Sequence, residues 1–297
     1  MNIHLKGMTR RQLAASLACT ALMPRAARAK PLRRFASMDY GLAETLICLG
    51  CPPIALVAAQ DWGRWVVEPP LPESVVNLGT SREPNLELLQ ALKPDAILST
   101  PYLAGIHHRL EAIAPVVSLP LYVPEGTPLA LAEEAARKLA LMIGAPEAGE
   151  ALRVQEQACF DEARAQLAGR AHMPVFLVNL MDERHVRIYG AKGLFQDVLD
   201  RIGLRNAWTG ATNYWGFATV GIEALQHDGE AQLVYLDPVP PGVLTSLARN
   251  PIWNALSFVK AGHVCGLPPA LMFGCVPSAM RFARLMAERL PKLKEPG

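Results

Sequence analysis

A long stretch without proline near the middle of the chain restricts the folds open to it. Between positions 147 and 169 apolar residues recur near helical spacing and charges fill the other positions, as at Leu152, Phe160, Ala163 and Leu167. A Gly-Ala-Pro sequence at 144–146 separates this stretch from the preceding segment. At a rise of 1.5 Å per residue, roughly 22 residues form a rod of about 33 Å, the width of a small domain.

On both sides of this stretch, short apolar runs alternate with segments of helical pattern. In the first half the predicted strands are 54–59, 96–99 and 116–119, and the predicted helices are 40–49, 85–92, 106–113 and 128–143. In the second half the alternation continues through 174–180, 194–202, 232–236, 244–250 and 278–290. Short apolar runs between helices are typical of buried parallel strands in α/β proteins.

The sequence therefore predicts an α/β fold with two α/β lobes joined by a single long connecting helix. The predicted boundaries are 30–146 for the N-terminal lobe, 147–169 for the helix and 170–297 for the C-terminal lobe. The alternative is a single α/β domain in which the long helix only covers the sheet.

Residues 1–29 have the pattern of a signal peptide. Lys6, Arg10 and Arg11 precede an apolar stretch at 13–23 that is too short to span a membrane, and Ala-Arg-Ala at 27–29 is a suitable cleavage site. The segment 9–13 resembles a twin-arginine signal, and an ordinary secretory signal is the alternative. Both interpretations predict an exported protein that begins at Lys30.

The charge of the remaining chain argues against nucleic-acid binding. The whole sequence has 29 basic and 27 acidic residues, and five of the basic residues lie in the predicted signal peptide. The rest is mildly acidic, whereas a protein that binds nucleic acid presents a basic surface.

The cysteines leave two interpretations open. Beyond the signal peptide there are five, an odd number, so an oxidised protein would keep at least one free thiol. Cys48 and Cys51 have the spacing of a redox pair, but they end an apolar helical run and lack the neighbours of thioredoxin-like sites. Small core cysteines are the favoured interpretation.

No catalytic motif is recognisable in this sequence. A nucleophile elbow, a phosphate-binding loop and a zinc-protease motif are all missing, and the adjacent His107 and His108 are poorly placed to chelate one metal ion. We therefore expect neither catalytic residues nor a protein-bound metal.

Aromatic residues instead occur in segments without helical or strand periodicity. Trp62 and Trp65 form one group, Tyr102 follows the predicted strand 96–99, and Tyr214 and Trp215 form another group. Each could belong to the core of its own lobe. Because open α/β sheets place ligands beyond the carboxyl ends of their strands, the set predicts an aromatic ligand cleft.

Several motifs resemble those of the periplasmic iron(III)-hydroxamate siderophore-binding proteins of ABC importers. They are W-V-V-E-P-P-L-P at 65–72, R-E-P-N-L-E-L-L at 82–89, L-F-Q at 194–196, N-A-W at 206–208, T-N-Y-W-G at 212–216 and S-A-M at 278–280. The E-P-N-L-E segment is shared with relatives that bind catecholates, haem and cobalamin. The tryptophan-containing segments are the more hydroxamate-like features.

This resemblance implies a non-enzymatic receptor that binds its ligand in a shallow cleft between the lobes. In a ferric trishydroxamate six ligand oxygens already surround the iron, so the protein needs no metal ligands or cofactor of its own. The resemblance assigns the aromatic walls to Trp65, Tyr102 and Trp215, and the hydrogen-bond donor to Arg82. Asn213 and Phe217 are expected to line the same mouth.

The sequence departs from the family pattern at several of these positions. Ser81 stands where the family has its arginine, Leu103 where simple counting puts its tyrosine, and Leu271 where a cleft tryptophan is usual. The identity of the siderophore therefore stays open. Alternatives are a receptor of the same fold for another iron chelate, haem or a corrinoid, and a secreted thiol oxidoreductase that uses Cys48 and Cys51.

The resemblance also implies an inner-membrane ABC permease as partner. In the family one acidic residue on each lobe docks on permease arginines, and the motifs place these at Glu87 and Glu223. Each carboxylate could alternatively stabilise the start of a helix. We expect a periplasmic monomer.

Overall fold

The computed structural model describes residues 31–227 and 229–293. The predicted signal peptide at 1–29, with its twin-arginine motif, lies outside the described residues. No helix in the described ranges combines the length and the apolar character that crossing a membrane requires.

The first sheet is fully parallel, with strand order β3-β2-β1-β4-β5. Its strands are β1 (Phe35–Ser37), β2 (Ala55–Leu56), β3 (Val76–Asn77), β4 (Ala96–Ser99) and β5 (Val116–Ser118). Strand β4 has the predicted bounds. The run 54–59 contributes only two residues to β2, because Ala58 adopts a left-handed conformation (φ 50°) and the chain turns there.

The α-helices described in this half are α1 (Tyr40–Cys48), α2 (Trp62–Trp65), α3 (Leu86–Leu92), α4 (Ala104–Glu111) and α5 (Pro128–Met142). Four of these five α-helices were predicted, and the short helix α2 was not. Helix α3 begins after Asn85, whose side-chain oxygen accepts a 2.9 Å hydrogen bond from the Leu88 N–H. This N-cap satisfies one of the backbone donors left free at a helix start.

The second sheet is mixed, with strand order β10-β9-β6-β7-β8. Its strands are β6 (Val175–Leu180), β7 (His185–Tyr189), β8 (Phe217–Gly221), β9 (Gln232–Leu236) and β10 (Val264–Leu267). Strands β7 and β8 pair antiparallel, while β6, β9 and β10 are parallel. The sequence analysis predicted β6 and β9 but missed β7, β8 and β10. The mixed polar and apolar residues of β7 and β8 resemble loops.

The second half contributes six further α-helices within the described ranges. They are α6 (Pro146–Leu167), α7 (Leu194–Ile202), α8 (Val243–Leu247), α9 (Pro251–Ala255), α10 (Ser257–Ala261) and α11 (Val276–Arg289). Short 3-10 turns lie at Ala59–Asp61, Pro101–Leu103, Ala168–Arg170, Ile222–Leu225 and Leu290–Lys292.

Helix α6 is the predicted connecting helix. It has 22 residues and packs against α5, α7 and α11. Leu152 near its start belongs to the core of the first lobe, while Phe160, Ala163 and Leu167 belong to the core of the second. The predicted two-lobe α/β fold with a long helix is therefore confirmed.

Helix α11 is a second connection that the sequence did not reveal. Cys275, Val276 and Met280 pack in the core of the first lobe, whereas Phe282 and Met286 pack in that of the second. The last helix of the described chain therefore contributes to both cores.

A buried carboxylate of α1 caps the start of α11. Glu44 is fully buried and accepts hydrogen bonds from the Cys275 N–H (2.7 Å), the Ser278 N–H (3.2 Å) and the Ser278 hydroxyl (2.6 Å). The close approach of α1 to the start of α11 depends on two glycines. A Cβ at Gly41 would lie 2.9 Å from the Cys275 Sγ, and one at Gly274 would lie 2.3 Å from the Ser278 Oγ.

An ion-pair cluster adds a second tie to α11. Glu68 contacts Arg281 at 2.6 Å and Arg284 at 3.0 Å. Burial raises the pKa of Glu68, but the hydrogen bonds and charges of the two arginines outweigh that effect and lower it overall. The loop before β3 is thereby fixed to the helix that both lobes share.

The capping of α11 by Glu44 predicts a pH-dependent stability. Burial raises the pKa of Glu44 from 4.5 to about 8, despite the three hydrogen bonds that it accepts. Between these values the folded chain keeps a proton that the unfolded chain has lost, so rising pH favours unfolding. We expect the melting temperature to fall from pH 5 to pH 8, and to fall less in Glu44→Gln.

The control is Glu288→Gln, on the exposed face of α11, which should keep the wild-type slope. Asp39 and Glu156 also have raised pKa values, so part of the slope should persist in Glu44→Gln. Melting curves of Glu44→Gln that follow the wild-type pH dependence would contradict the assignment.

Candidate functional site

A cleft of about 610 Å³ lies between the two lobes. Its first wall follows the carboxyl ends of β1, β2, β4 and β5, and its second wall comes from β7, the start of β8 and the segment after β10. The residues that carry its chemistry are Asp39, Tyr40, Asp61, Trp65, Tyr102, Tyr122, Arg187, Trp215, Phe217, Leu271, Met272 and Phe273. This is the position at which open parallel sheets bind ligands.

Trp215 is the centre of an aromatic cluster that crosses the cleft. Its ring stacks on Tyr122 at 5.6 Å and 28°, and it meets Tyr102 edge-on at 5.1 Å and Phe273 at 5.4 Å. Tyr102 and Tyr122 follow strands of the first sheet, whereas Trp215 and Phe273 belong to the second half. Of the predicted site residues, Trp65, Tyr102, Trp215 and Phe217 line the cleft.

The segment before β8 holds Trp215 in place through backbone geometry. The Asn213 side-chain oxygen accepts hydrogen bonds from the Trp215 N–H (3.0 Å) and the Phe217 N–H (3.3 Å). Gly216 has φ +79°, and a Cβ there would lie 2.2 Å from the Cα of Gly193. Asn213 itself is exposed and is not among the cleft-lining residues, so it orients the wall instead of forming it.

Tyr122 is a cleft residue that the sequence analysis missed. Its hydroxyl donates toward the carbonyl oxygens of Met272 (3.2 Å) and Gly274 (3.0 Å), which fixes it against the second lobe. Burial raises its pKa well above 10, so the hydroxyl keeps its proton and stays a donor. Its position shortly after a predicted strand was the available signal, the same signal that had identified Tyr102.

The guanidinium group in the cleft belongs to Arg187, whereas the sequence analysis had expected Arg82. Arg82 is exposed and lines a separate depression with Glu83 and Arg109, while Ser81 faces the cleft. A side chain one position along an extended loop points elsewhere, which is why the shift from the family pattern matters.

Arg187 reaches the cleft from β7. Its Cζ lies 4.6 Å from the centre of the Phe217 ring, and its Nη1 lies 3.8 Å from the Met272 Sδ. The Nε is buried without a hydrogen-bond partner, and no ion pair of the described chain includes Arg187. Sequence reasoning missed this donor because it did not recognise β7.

The two predicted docking carboxylates are exposed on different lobes. Glu87 lies in the first turn of α3, and Glu223 lies in the 3-10 turn Ile222–Leu225. The Glu223 carboxylate folds over Gly221, where a Cβ would lie 2.0 Å from its Oε1. Neither carboxylate forms an ion pair within residues 31–227 and 229–293.

The five cysteines of the described ranges are free thiols. Burial is the main cause that raises the pKa of Cys48 to about 11, and burial also raises that of Cys51. Because the thiolate is the reactive form, this environment does not favour the oxidoreductase alternative. In the same described ranges, no three His, Cys, Asp or Glu side chains are grouped so that they could hold a metal ion.

The fold and cleft are those of a substrate-binding protein. Residues 36–271 match the model of the periplasmic binding protein family, and the chain therefore belongs to that family. The similar proteins of this family bind substrates and are not enzymes. This confirms the expectation of a non-enzymatic receptor.

Two individual proteins are similar to this chain over most of its length. The chain is 30% identical over 284 residues to the iron(3+)-hydroxamate-binding protein FhuD of Escherichia coli (strain K12), covering 94% of this chain and 95% of that protein. The crystal structure of Vibrio cholerae FhuD with Fe³⁺-Desferal superposes with a TM-score of 0.82 at 28% identity, covering 88% of this chain and 98% of the other.

A more distant structure shares the fold alone. Staphylococcus aureus FhuD2 with bound ferrioxamine B gives a TM-score of 0.66 at 19% identity, covering 88% of this chain and 98% of that one. The resemblance to hydroxamate-binding receptors that the sequence motifs indicated is confirmed.

Proposed function

We propose that this protein captures a ferric hydroxamate siderophore in the cleft between its lobes and delivers it to an inner-membrane ABC importer. The observation that carries the proposal is the aromatic cluster around Trp215, which spans the cleft beside the unpaired guanidinium of Arg187. The names of the E. coli and V. cholerae relatives, both hydroxamate receptors, support the same ligand class.

The chemistry of such a ligand suits these walls. Six hydroxamate oxygens satisfy the iron, and three negative charges cancel its charge, so recognition falls on the organic surface and the oxygens that face outward. Trp65, Tyr102, Tyr122 and Trp215 offer large, rigid contact surfaces. Arg187 offers several N–H donors in a fixed fork to the hydroxamate oxygens.

The proposal includes the cellular setting and the organisation of the chain. We infer export to the periplasm, by the twin-arginine route, and action as a monomer. The lobes would span 30–146 and 170–297 on either side of the connecting segment 147–169, with Glu87 and Glu223 docking on the permease.

The direct test is a titration of the purified protein, monitored by its tryptophan fluorescence. The ligands are ferrichrome, ferrioxamine B, ferric coprogen, ferric enterobactin and haemin. Saturable quenching by the hydroxamates alone is the expected result, since Trp65 and Trp215 line the cleft. Preference for enterobactin or haemin would support the receptor function but show that the assignment to hydroxamates is wrong. Absence of any response would contradict the proposal.

Trp215→Ala should weaken hydroxamate binding by on the order of 1–3 kcal/mol, because it removes the central wall of the cleft. The matched variant is Trp253→Phe, which changes a buried tryptophan of the second lobe that lies outside the cleft. Dissociation constants from calorimetry should rise only for Trp215→Ala. Equal affinities of the two variants would remove Trp215 from the site.

Arg187→Gln should weaken binding by about 1.5–3 kcal/mol, the usual worth of a hydrogen bond to a charged group. Arg82→Gln serves as the control, since that side chain lies outside the cleft. The affinities of the two variants are compared by the same calorimetric titration with a neutral trishydroxamate such as ferrichrome. A loss in Arg82→Gln with none in Arg187→Gln would restore the assignment made from the sequence.

The double variant Glu87→Ala, Glu223→Ala should impair uptake of the radiolabelled ferric siderophore while leaving its affinity intact. Paired charges across such a transient interface set the encounter rate and the register of docking. Uptake by cells that express the variant and the matching permease measures the effect. Weaker binding of the siderophore itself would show that these carboxylates act on the ligand.

A further inference from the structure

The two walls of the cleft carry opposite charges. Three charged side chains line it in the described chain: Asp39 and Asp61 on the first wall, and Arg187 on the second. Asp39 follows β1 and Asp61 follows β2, so both lie at the carboxyl edge of the first sheet. The cleft is therefore polarised from one lobe to the other.

The two carboxylates have no cationic partner. Asp39 accepts a 2.9 Å hydrogen bond from the Leu42 N–H as the N-cap of α1, and Asp61 accepts one of 3.3 Å from the Gln60 amide. Neither takes part in an ion pair in residues 31–227 and 229–293. The negative charge of Asp61 also contributes to the raised pKa of Tyr40, about 12, where burial is the larger cause.

Carboxylates that form no ion pair in the described ranges favour a ligand that brings positive charge into the cleft. Attraction between opposite charges grows as water is displaced, and a ligand without a cation would leave these carboxylates partly desolvated and unpaired. The core of a ferric trishydroxamate is neutral, so its substituents decide the net charge. The charged side chains of the cleft can therefore discriminate among hydroxamates that differ in net charge.

Resting on the function proposed above, we propose that the cleft selects ferric hydroxamates that carry a pendant ammonium group. The carboxylates of Asp39 and Asp61 face that ammonium, and Arg187 faces the oxygens of the chelate. The bound siderophore is thereby oriented, with its cationic arm toward the first lobe.

The preference should depend on pH. Burial raises the pKa of Asp39 to about 6, against the lowering effect of the hydrogen bonds from Leu42 and Gly41. Below that value Asp39 is protonated and attracts a cation less, so selectivity should increase from pH 5 to pH 7.5. The charge of this carboxyl acts on the titratable groups Glu44, Tyr122 and Cys275. Tyr40, Asp61 and Arg187 line the same cleft.

A matched pair of ligands tests the proposal by calorimetry on the purified protein. Ferrioxamine B has a terminal ammonium, and N-acetylated ferrioxamine B has the same chelate with a neutral amide there. We expect ferrioxamine B to bind about tenfold more tightly at pH 7.5, on the order of 1.4 kcal/mol. The ratio should shrink at pH 5 and in the variants Asp39→Asn and Asp61→Asn.

The variants are chosen to keep the fold. Asparagine caps a helix as well as aspartate does, so Asp39→Asn should preserve α1. Glu111→Gln removes an exposed carboxylate outside the cleft and should keep the wild-type ratio. A uniform loss of affinity for both ligands in Asp39→Asn and Asp61→Asn would indicate a structural role and overturn the proposal.

The outcomes separate this inference from the function on which it rests. If the protein binds both ligands with equal affinity, the hydroxamate function stands and the charge selection is wrong. If it binds the acetylated ligand more tightly, the polarity of the cleft is assigned the wrong way round. If it binds neither of these nor the other hydroxamates, the proposed function fails, and this inference fails with it.

Discussion

One buried contact, the carboxyl group of Glu44 against the first turn of α11, joins the first lobe to a helix that contributes to both cores. Three hydrogen bonds from Cys275 and Ser278 satisfy it, and two glycines allow the backbones to approach. An unsatisfied polar group at this depth would be costly, so the contact is made as a whole or not at all. Helices α6 and α11 each contribute residues to the cores of both lobes.

The segment that leads into α11 also forms part of the cleft. Leu271, Met272 and Phe273 immediately precede α11, and the Tyr122 hydroxyl bonds to the carbonyl oxygens of Met272 and Gly274. The aromatic wall is thus continuous with the segment that Glu44 holds. A rigid wall loses little conformational entropy when a ligand binds, which suits recognition by shape and by a few placed donors.

Much of the fold could be predicted because its signals are local. Strand β4, helix α7 and strand β9 have the predicted bounds, and Asn85 caps α3 as its sequence position indicated. Tyr102 was singled out because it follows a strand, whereas Trp65 and Trp215 were singled out as aromatic residues in segments without periodicity. Arg187 was missed because its exposure to the cleft depends on the pairing of β7 with β6 and β8, a non-local property. Arg82 was misplaced because one residue of offset in a loop changes the surface that a side chain faces, and only the tertiary structure fixes that offset.

Helix α11 affects when the first lobe can finish folding. The first-lobe core includes Cys275, Val276 and Met280, and the Cys275 N–H bonds to a carboxylate 231 residues earlier in the chain. A lobe made of consecutive residues can complete its core as soon as those residues are synthesised, but this lobe waits for a segment 231 residues beyond Glu44. Until then the apolar surface of the first lobe beside α1 lacks its cover.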